Sequence, residues 1–353
     1  APTIPFWRGE APGRTRELSG EVSRLREELA RFNGPDGVEF LARECGLERL
    51  GAEQALEYVH QGVAMLGTLP TERTVVAERF FDEAGGMQLV IHAPFGSRIN
   101  RAWGLALRKR FCRTFNFELQ AAATDNGIVI SLSEQHSFPL EIVFGFLHVE
   151  TVQPVLEQAL LAAPMFTVRW RWNASRALAI PRFSGGRRVP PPIQRMRSDD
   201  LLAAVFPDQA ACAENLTGEI RIPDHPLVKE TIGNCLHEAM DLEGLRTVLD
   251  GIANGVIQTA AVDRPEPSVF SHEILNANPY AYLDDAPLEE RRARAVQLRR
   301  TMRVEDASGI GALDADAISQ VIEEARAAVR DPDELHDLLL TQIVLPPAPE
   351  WAG

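Results

Sequence analysis

Lysine is almost missing. The chain carries two, Lys109 and Lys229, beside 34 arginines, and no Gly-Lys pair occurs in its 353 residues. A phosphate-cradling loop of the GxxxxGK[ST] type needs both the lysine and the glycine turn before it, so nucleotide hydrolysis on such a loop is excluded in this segment. Cysteine is scarce too. Cys45, Cys112, Cys212 and Cys235 form no CxxC pair, which argues against a zinc ribbon or a disulfide framework and for reduced thiols in a cytoplasmic protein. No apolar run approaches the roughly 20 residues that span a bilayer, so no membrane partner is expected. The opening APTIPFWRGE has neither an initiator Met nor the basic-then-apolar layout of a signal peptide, and its abrupt start suggests a segment of a longer protein.

What is present is ordinary in amount and unusual in placement. Hydrophobic content of 45% and charged content of 24% suit a globular chain of about two domains. A net charge of −14 argues against a general polyanion binder. Yet residues 87–120 sum to +5, and residues 165–197 carry eight arginines and no acid. Residues 305–353 alone sum to −9. Such segregation is the footprint of a phosphate-binding face on an otherwise repelling body. The arginine excess is mostly compositional, since it extends into the acidic regions, although arginine also forks phosphates and stacks on bases better than lysine does.

Residues 1–70 read as a helical lead-in. Leu18, Val22, Leu25, Leu29 and Phe32 recur at steps of three and four, and two further helices, about 37–45 and 51–66, end at Gly67 and Pro70. Residues 71–150 read as an α+β sheet unit. TVVAERFF and MQLVIHA flank a break at 82–86 and predict a hairpin; Asp125-Asn126-Gly127 joins two more strands. Between the pairs, the helix from Ser97 places Ile99, Trp103, Ala106, Phe111 and Thr114 on one face. Arg98, Arg101, Leu105, Arg108, Lys109 and Cys112 fall opposite. Residues 151–303 read as a mainly helical unit with one short strand, VIQTAAV, and residues 304–353 as the start of a helical extension. The expected fold is α+β: a small antiparallel sheet with a basic helix on it, then a mainly helical half.

Several motifs invite a catalytic reading and fail on spacing. The Asp-Glu-Ala-Gly at 82–85 looks like the acidic box that holds magnesium in motor ATPases, but without a phosphate loop it is a turn. His237-Glu238 would open a zinc-protease helix, except that Asp241 stands where the second histidine is needed. Asp224, His225, Cys235 and His237 match no common metal-site spacing, and no GxSxG elbow occurs. Gly185-Gly186-Arg187-Arg188 reads as a mobile basic connection rather than a phosphate loop.

The run MFTVRWRWNASRALAIPRFSGGRRVPPPIQRMR carries the strongest functional signal. On a helix, Phe166, Trp170, Ala174, Ala177 and Leu178 form a core stripe, while Arg169, Trp172 and Arg176 share another face. Basic groups for phosphates and an aromatic plane under a base are how single-stranded nucleic acid is held. Trp172 has a second reading, as a ring half-buried at a domain seam with arginine stems around it. Across the whole segment the nucleic-acid reading is the stronger one. It takes Arg169, Trp172, Arg176, Arg182, Arg187, Arg188 and Arg195, together with Arg98, Arg101, Arg108 and Lys109.

PFWRGEAPGRTREL, HAPFGSRINRAWGLALRKRF, the turn into GIVISL, and EPSVFSHEILN followed by YAYLDDAPLEERRARAV occur in an order that resembles the Lhr (large helicase-related) family, over roughly residues 1–300. The chain departs from the family pattern at Ile99-Asn100-Arg101-Ala102-Trp103 and in the polyproline after Gly-Gly-Arg-Arg. The resemblance implies the DEAD/H-associated domain of superfamily 2 DNA helicases that move 3′ to 5′ on single-stranded DNA and unwind duplexes, RNA–DNA hybrids included. The motor and winged-helix domains, with their ATP and magnesium, would lie upstream; no cofactor is implied for this segment and no catalytic residue is transferred. A role in DNA repair is the expectation. Two rivals remain: a scaffold docking onto the motor domains, and an independent nucleic-acid enzyme such as a glycosylase or hydrolase.

Overall fold

The computed structural model describes residues 13–81, 86–115, 119–132, 138–210 and 218–275, with positions 283, 334 and 336. The chain divides into two compact units, Ala1–Met302 and Arg303–Gly353. The first unit holds nearly all of the described residues. The acidic turn at 82–85, the end of the expected helical unit beyond 283 and nearly all of the acidic tail lie outside the described residues.

Three helices open the chain: α1 (Arg16–Leu29), α2 (Pro35–Cys45) and α3 (Arg49–Leu66). Thr15 caps α1 by accepting a hydrogen bond from the Leu18 N–H at 3.2 Å. The expected apolar stripe of α1 is only partly the buried one. Leu18 is 52% exposed, while Ser19, Gly20, Ser23 and Leu29 face inward. The helix approaches its neighbours closely through these small residues; a Cβ at Gly20 would lie 2.9 Å from a Glu72 carboxylate oxygen. Leu29, Leu41, Ala52, Leu56 and Val59 make the core of this helical group.

The sheet has five strands: β1 (Thr74–Phe81), β2 (Met87–His92), β3 (Leu119–Ala123), β4 (Gly127–Leu132) and a strand from far downstream, β7 (Gln258–Asp263), in the order β3-β4-β2-β1-β7. The first four pair antiparallel, with Phe81 opposite Met87 as the hairpin reading requires. β7 lies parallel to β1, so the sheet is mixed rather than purely antiparallel. Its register sets Arg79 against Asp263, and the guanidinium reaches both carboxylate oxygens at 2.6 and 2.9 Å. Arg79 also donates to the Phe138 carbonyl at 2.8 Å, locking the edge strand in place.

Both faces of the sheet are covered, which is why β2 is buried at every position. Val75, Ala77, Leu89, Ile91, Ile128 and Ile130 face α4 (Ser97–Phe115), whose Trp103, Ala106 and Phe111 are buried as expected. The other face packs on α3 and α11 (Val269–Leu275) through Val76, Phe80, Val90, Val129, Phe270 and Ile274. Gly62 of α3 leaves room for the Phe270 ring, which a Cβ there would meet at 2.1 Å.

That second face hides a polar knot. Glu78 is wholly buried and accepts from His92 Nε2 at 2.7 Å, from the Ser268 N–H at 2.6 Å, and from the hydroxyls of Ser268 and Ser271 at 2.7 and 2.6 Å. Ser271 Oγ lies 3.4 Å from the same His92 nitrogen. A nucleophilic triad needs serine and carboxylate on opposite ring nitrogens, with the hydroxyl open to substrate. Here one nitrogen faces both and no group is exposed, so the knot is architectural and ties α11 to β1 and β2.

The remaining elements are mainly helical. After Pro139 a short 3-10 turn (Leu140–Gly145) leads out of the sheet unit. Then come α5 (Val152–Leu161), α6 (Pro164–Arg176), the two-residue strands β5 (Phe183–Ser184) and β6 (Arg187–Arg188), α7 (Pro191–Val205), α8 (Pro207–Ala210), α9 (Pro226–Asn234), a π-helical turn (Cys235–Ala239) and α10 (Leu242–Ala253). No described helix is long and apolar enough to cross a membrane.

Candidate nucleic-acid interface

Helix α6 is the root of the site. Phe166, Trp170 and Ala174 point into the core, and the Trp170 indole N–H donates to the Ser198 carbonyl of α7 at 3.0 Å. Asn173, also buried, donates to Thr231 Oγ1 and Asn234 Oδ1 of α9 at 3.2 and 2.9 Å. Two helices, α7 and α9, thus fix the orientation of α6, and its other face carries Arg169, Trp172 and Arg176. Trp172 is 44% exposed, with the Arg169 guanidinium 5.7 Å from its ring centre.

The core stripe stops earlier than its spacing predicts. Helix α6 ends at Arg176, and Leu178 takes a left-handed conformation at φ 59° that turns it out to 83% exposure. Ala177 is exposed as well. The N–H groups of Ala179 and Ile180 close the helix end on the Ala174 carbonyl, and Ile180 re-enters the core.

What the sequence presents as a mobile connection is a β-hairpin. Phe183 pairs with Arg188 and Ser184 with Arg187 across Gly185 and Gly186, whose φ values of 58° and 75° suit a tight primed turn. The Val189 N–H donates to the Arg182 carbonyl at 2.8 Å, and the buried Val189 side chain anchors the hairpin. Pro191 then starts α7. From the end of α6, through the hairpin and into α7, the side chains of Arg176, Arg182, Arg187, Arg188, Arg195 and Arg197 are exposed and make no ion pair among the described residues. Phe183, at 63% exposure, and Met196, at 53%, stand among them. Neither was singled out by periodicity. The Gly-Gly pair with strand-like residues on both sides was the available signal.

The basic stretch on α4 behaves differently. Nearly the whole helix is buried between the sheet and helices α5 and α10, and even Leu105, on the expected basic face, is 1% exposed. Arg98 donates to the carbonyls of His237 and Met240, and Arg108 Nε to the Leu119 carbonyl at 3.0 Å. Arg113 pairs with Glu219. Arg101 and Lys109 are half-buried, with no hydrogen bond or ion pair among the described residues.

The two basic stretches meet at the π-helical turn. Arg98 holds its carbonyls, and Arg169 pairs with Glu238 at 2.6 Å. π-Helical turns occur mostly as single-turn bulges inside α-helices, frequently at functional sites. The residues considered for metal binding are otherwise engaged: Asp224 pairs with Lys229, and His225 Nδ1 accepts from the Leu227 N–H at the start of α9. Burial pushes the Cys235 thiol up to about 12 despite nearby Arg169. Iodoacetamide at pH 8 should therefore leave Cys235 unmodified while alkylating the exposed Cys45. Peptide mass spectrometry reads this directly, and equal labelling of the two would contradict the burial.

An α+β core thus carries a hairpin whose arginines are exposed and make no ion pair among the described residues. The chain belongs to the DEAD/H-associated family, whose model matches residues 69–271, in the form this region takes in Lhr-type helicases. The "Lhr helicase/uracil glycosylase" of Escherichia coli K12 is 30% identical over 331 residues, or 91% of this chain and 20% of that protein. The "Lhr helicase/probable uracil glycosylase" of Mycolicibacterium smegmatis is 28% identical over 297 residues, 84% and 19% of the two chains. The solved structure of Mycobacterium smegmatis helicase Lhr bound to ssDNA and AMP-PNP superposes with a TM-score of 0.64 at 26% identity, over 78% of this chain and 33% of that one. The chain therefore spans about a fifth of the length of these two relatives and a third of the solved neighbour.

Proposed function

We propose that this region holds single-stranded DNA for an ATP-driven, Lhr-type helicase that tracks 3′ to 5′ in DNA repair, with RNA–DNA hybrids among its duplexes. ATP and magnesium would belong to the upstream motor domains, which with the winged helix would be its protein neighbours in the cytoplasm. The observation that carries this reading is the run of exposed, unpaired arginines over 176–197 beside the half-exposed Trp172. The likeness to an Lhr structure holding ssDNA supports it. Arg101 and Lys109 would add phosphate contacts, Arg98 and Arg108 would hold the framework, and Arg169 would serve through its stacking on Trp172.

A salt series of fluorescence anisotropy with an oligo-dT tests it. For single strands, log affinity falls with log salt at about 0.7 per phosphate contacted. Replacing Arg182, Arg187 and Arg188 together by Gln should flatten that slope by about 0.7 to 1.4, one or two phosphate contacts, and leave the melting temperature unchanged, because all three side chains are exposed. Absence of binding even at low salt would sink the proposal and favour docking of the basic ribbon onto the motor domains.

A further inference from the structure

The hairpin has a geometry that a simple single-strand track does not need. Its cross-strand register places Phe183 and Arg188 on one face of the ribbon and Ser184 and Arg187 on the other, since directly paired residues in an antiparallel ladder share a side. Arg182, opposite Val189, belongs to the second face. A projecting ribbon therefore shows arginine on both sides and an aromatic ring on one. Its two-glycine turn is tight, and its base is held by the buried Val189 and by Ile180. Among the described residues no ring or cation contact covers Phe183, which is 63% exposed, and Leu178, five positions earlier, is more exposed still.

A single phosphate backbone can satisfy only one side of such a ribbon. Two backbones that diverge satisfy both, and an apolar ring between them finds the open face of the last base pair. Proteins that insert apolar side chains at base steps use this combination of wedge and flanking cations. We propose that the 182–188 hairpin meets the junction where a duplex gives way to single strands, with Phe183 stacked on the terminal base pair and Arg188 and Arg187 on the phosphates of the two strands. This assignment rests on the single-strand reading above and adds a site to it.

The test uses the whole chain and three DNAs of equal strand length: oligo-dT, a blunt duplex, and a fork carrying 2-aminopurine in its last base pair. The expected result is tighter binding of the fork than of either other DNA, with a change in 2-aminopurine fluorescence on binding. Phe183→Ala should weaken fork binding at least about fivefold, abolish the fluorescence change, and alter oligo-dT affinity less than about twofold. Phe183→Trp should restore both signals. Equal affinity for fork and oligo-dT, or a Phe183→Ala loss shared equally by both, overturns the junction assignment and leaves the single-strand reading standing. No binding to any of the three overturns both.

Discussion

Replacing Glu78 by alanine is expected to destabilise the first unit by about 3–5 kcal/mol, because a buried carboxylate that several buried donors share is removed. The carboxylate is the common acceptor for His92, Ser268 and Ser271, all buried, and its removal leaves four donors without a partner or water. Glu78→Gln keeps the volume and one acceptor and should cost less. Urea denaturation orders the two variants, and a loss below about 1 kcal/mol in Glu78→Ala would show that water fills the site.

The same knot sets an acid limit on stability. Burial alone would raise the Glu78 carboxyl, but the His92, Ser271 and Ser268 hydrogen bonds outweigh it and hold the group below its ordinary 4.5. A carboxyl depressed by folding contributes stability above its unfolded value and loses it as pH falls through the folded one. His272, beside the knot, is depressed from 6.5 by burial, against the pull of Glu78. Its neutral form is favoured in the fold, so its contribution is also lost on acidification, beginning below 6.5. Stability should therefore fall in two stages, the first below about pH 6.5 and the second below about pH 4.5. His272→Gln should remove only the first.

Two tryptophans two positions apart should give opposite phenotypes. Trp170→Ala opens a cavity at a fully buried position and removes the indole hydrogen bond to the Ser198 carbonyl, so a loss of about 3–5 kcal/mol in stability is expected. Trp172→Ala removes a half-exposed ring and should change stability by about 0.5 kcal/mol or less. Its effect falls on binding: a base stacked on Trp172 is worth about 1–3 kcal/mol, or roughly 5- to 150-fold in affinity for oligo-dT. Thermal melts and anisotropy on the same pair of variants separate the two roles. Wild-type DNA affinity in Trp172→Ala would remove it from the interface and leave it as a platform for Arg169 alone.

Much of this was legible along the chain. The four antiparallel strands, the helices of the lead-in and the core positions of α4 follow from local periodicity and turn chemistry, because each depends on residues within one element. The inward Trp170 and outward Trp172 follow likewise from helical spacing. Leu178 departs from the stripe because a helix that ends two residues earlier turns its successor outward. The hairpin is not legible because two-residue strands carry almost no periodic signal.

The sequence by itself determined the α+β character, the absence of a lysine-bearing nucleotide loop and the concentration of arginine in two stretches. Only the tertiary structure decided which arginines are free. Arg98 meets the His237 carbonyl across 139 positions, Arg169 meets Glu238 across 69, and Arg79 meets Asp263 across 184. Each of these pairings depends on distant segments arriving at one point, and a local pattern carries no information about that. The same holds for β7, whose place beside β1 is set by an ion pair and a covered sheet edge rather than by anything in its own six residues. The arginines of the hairpin are free for the complementary reason: the chain folds so that no acid comes within reach of them among the described residues.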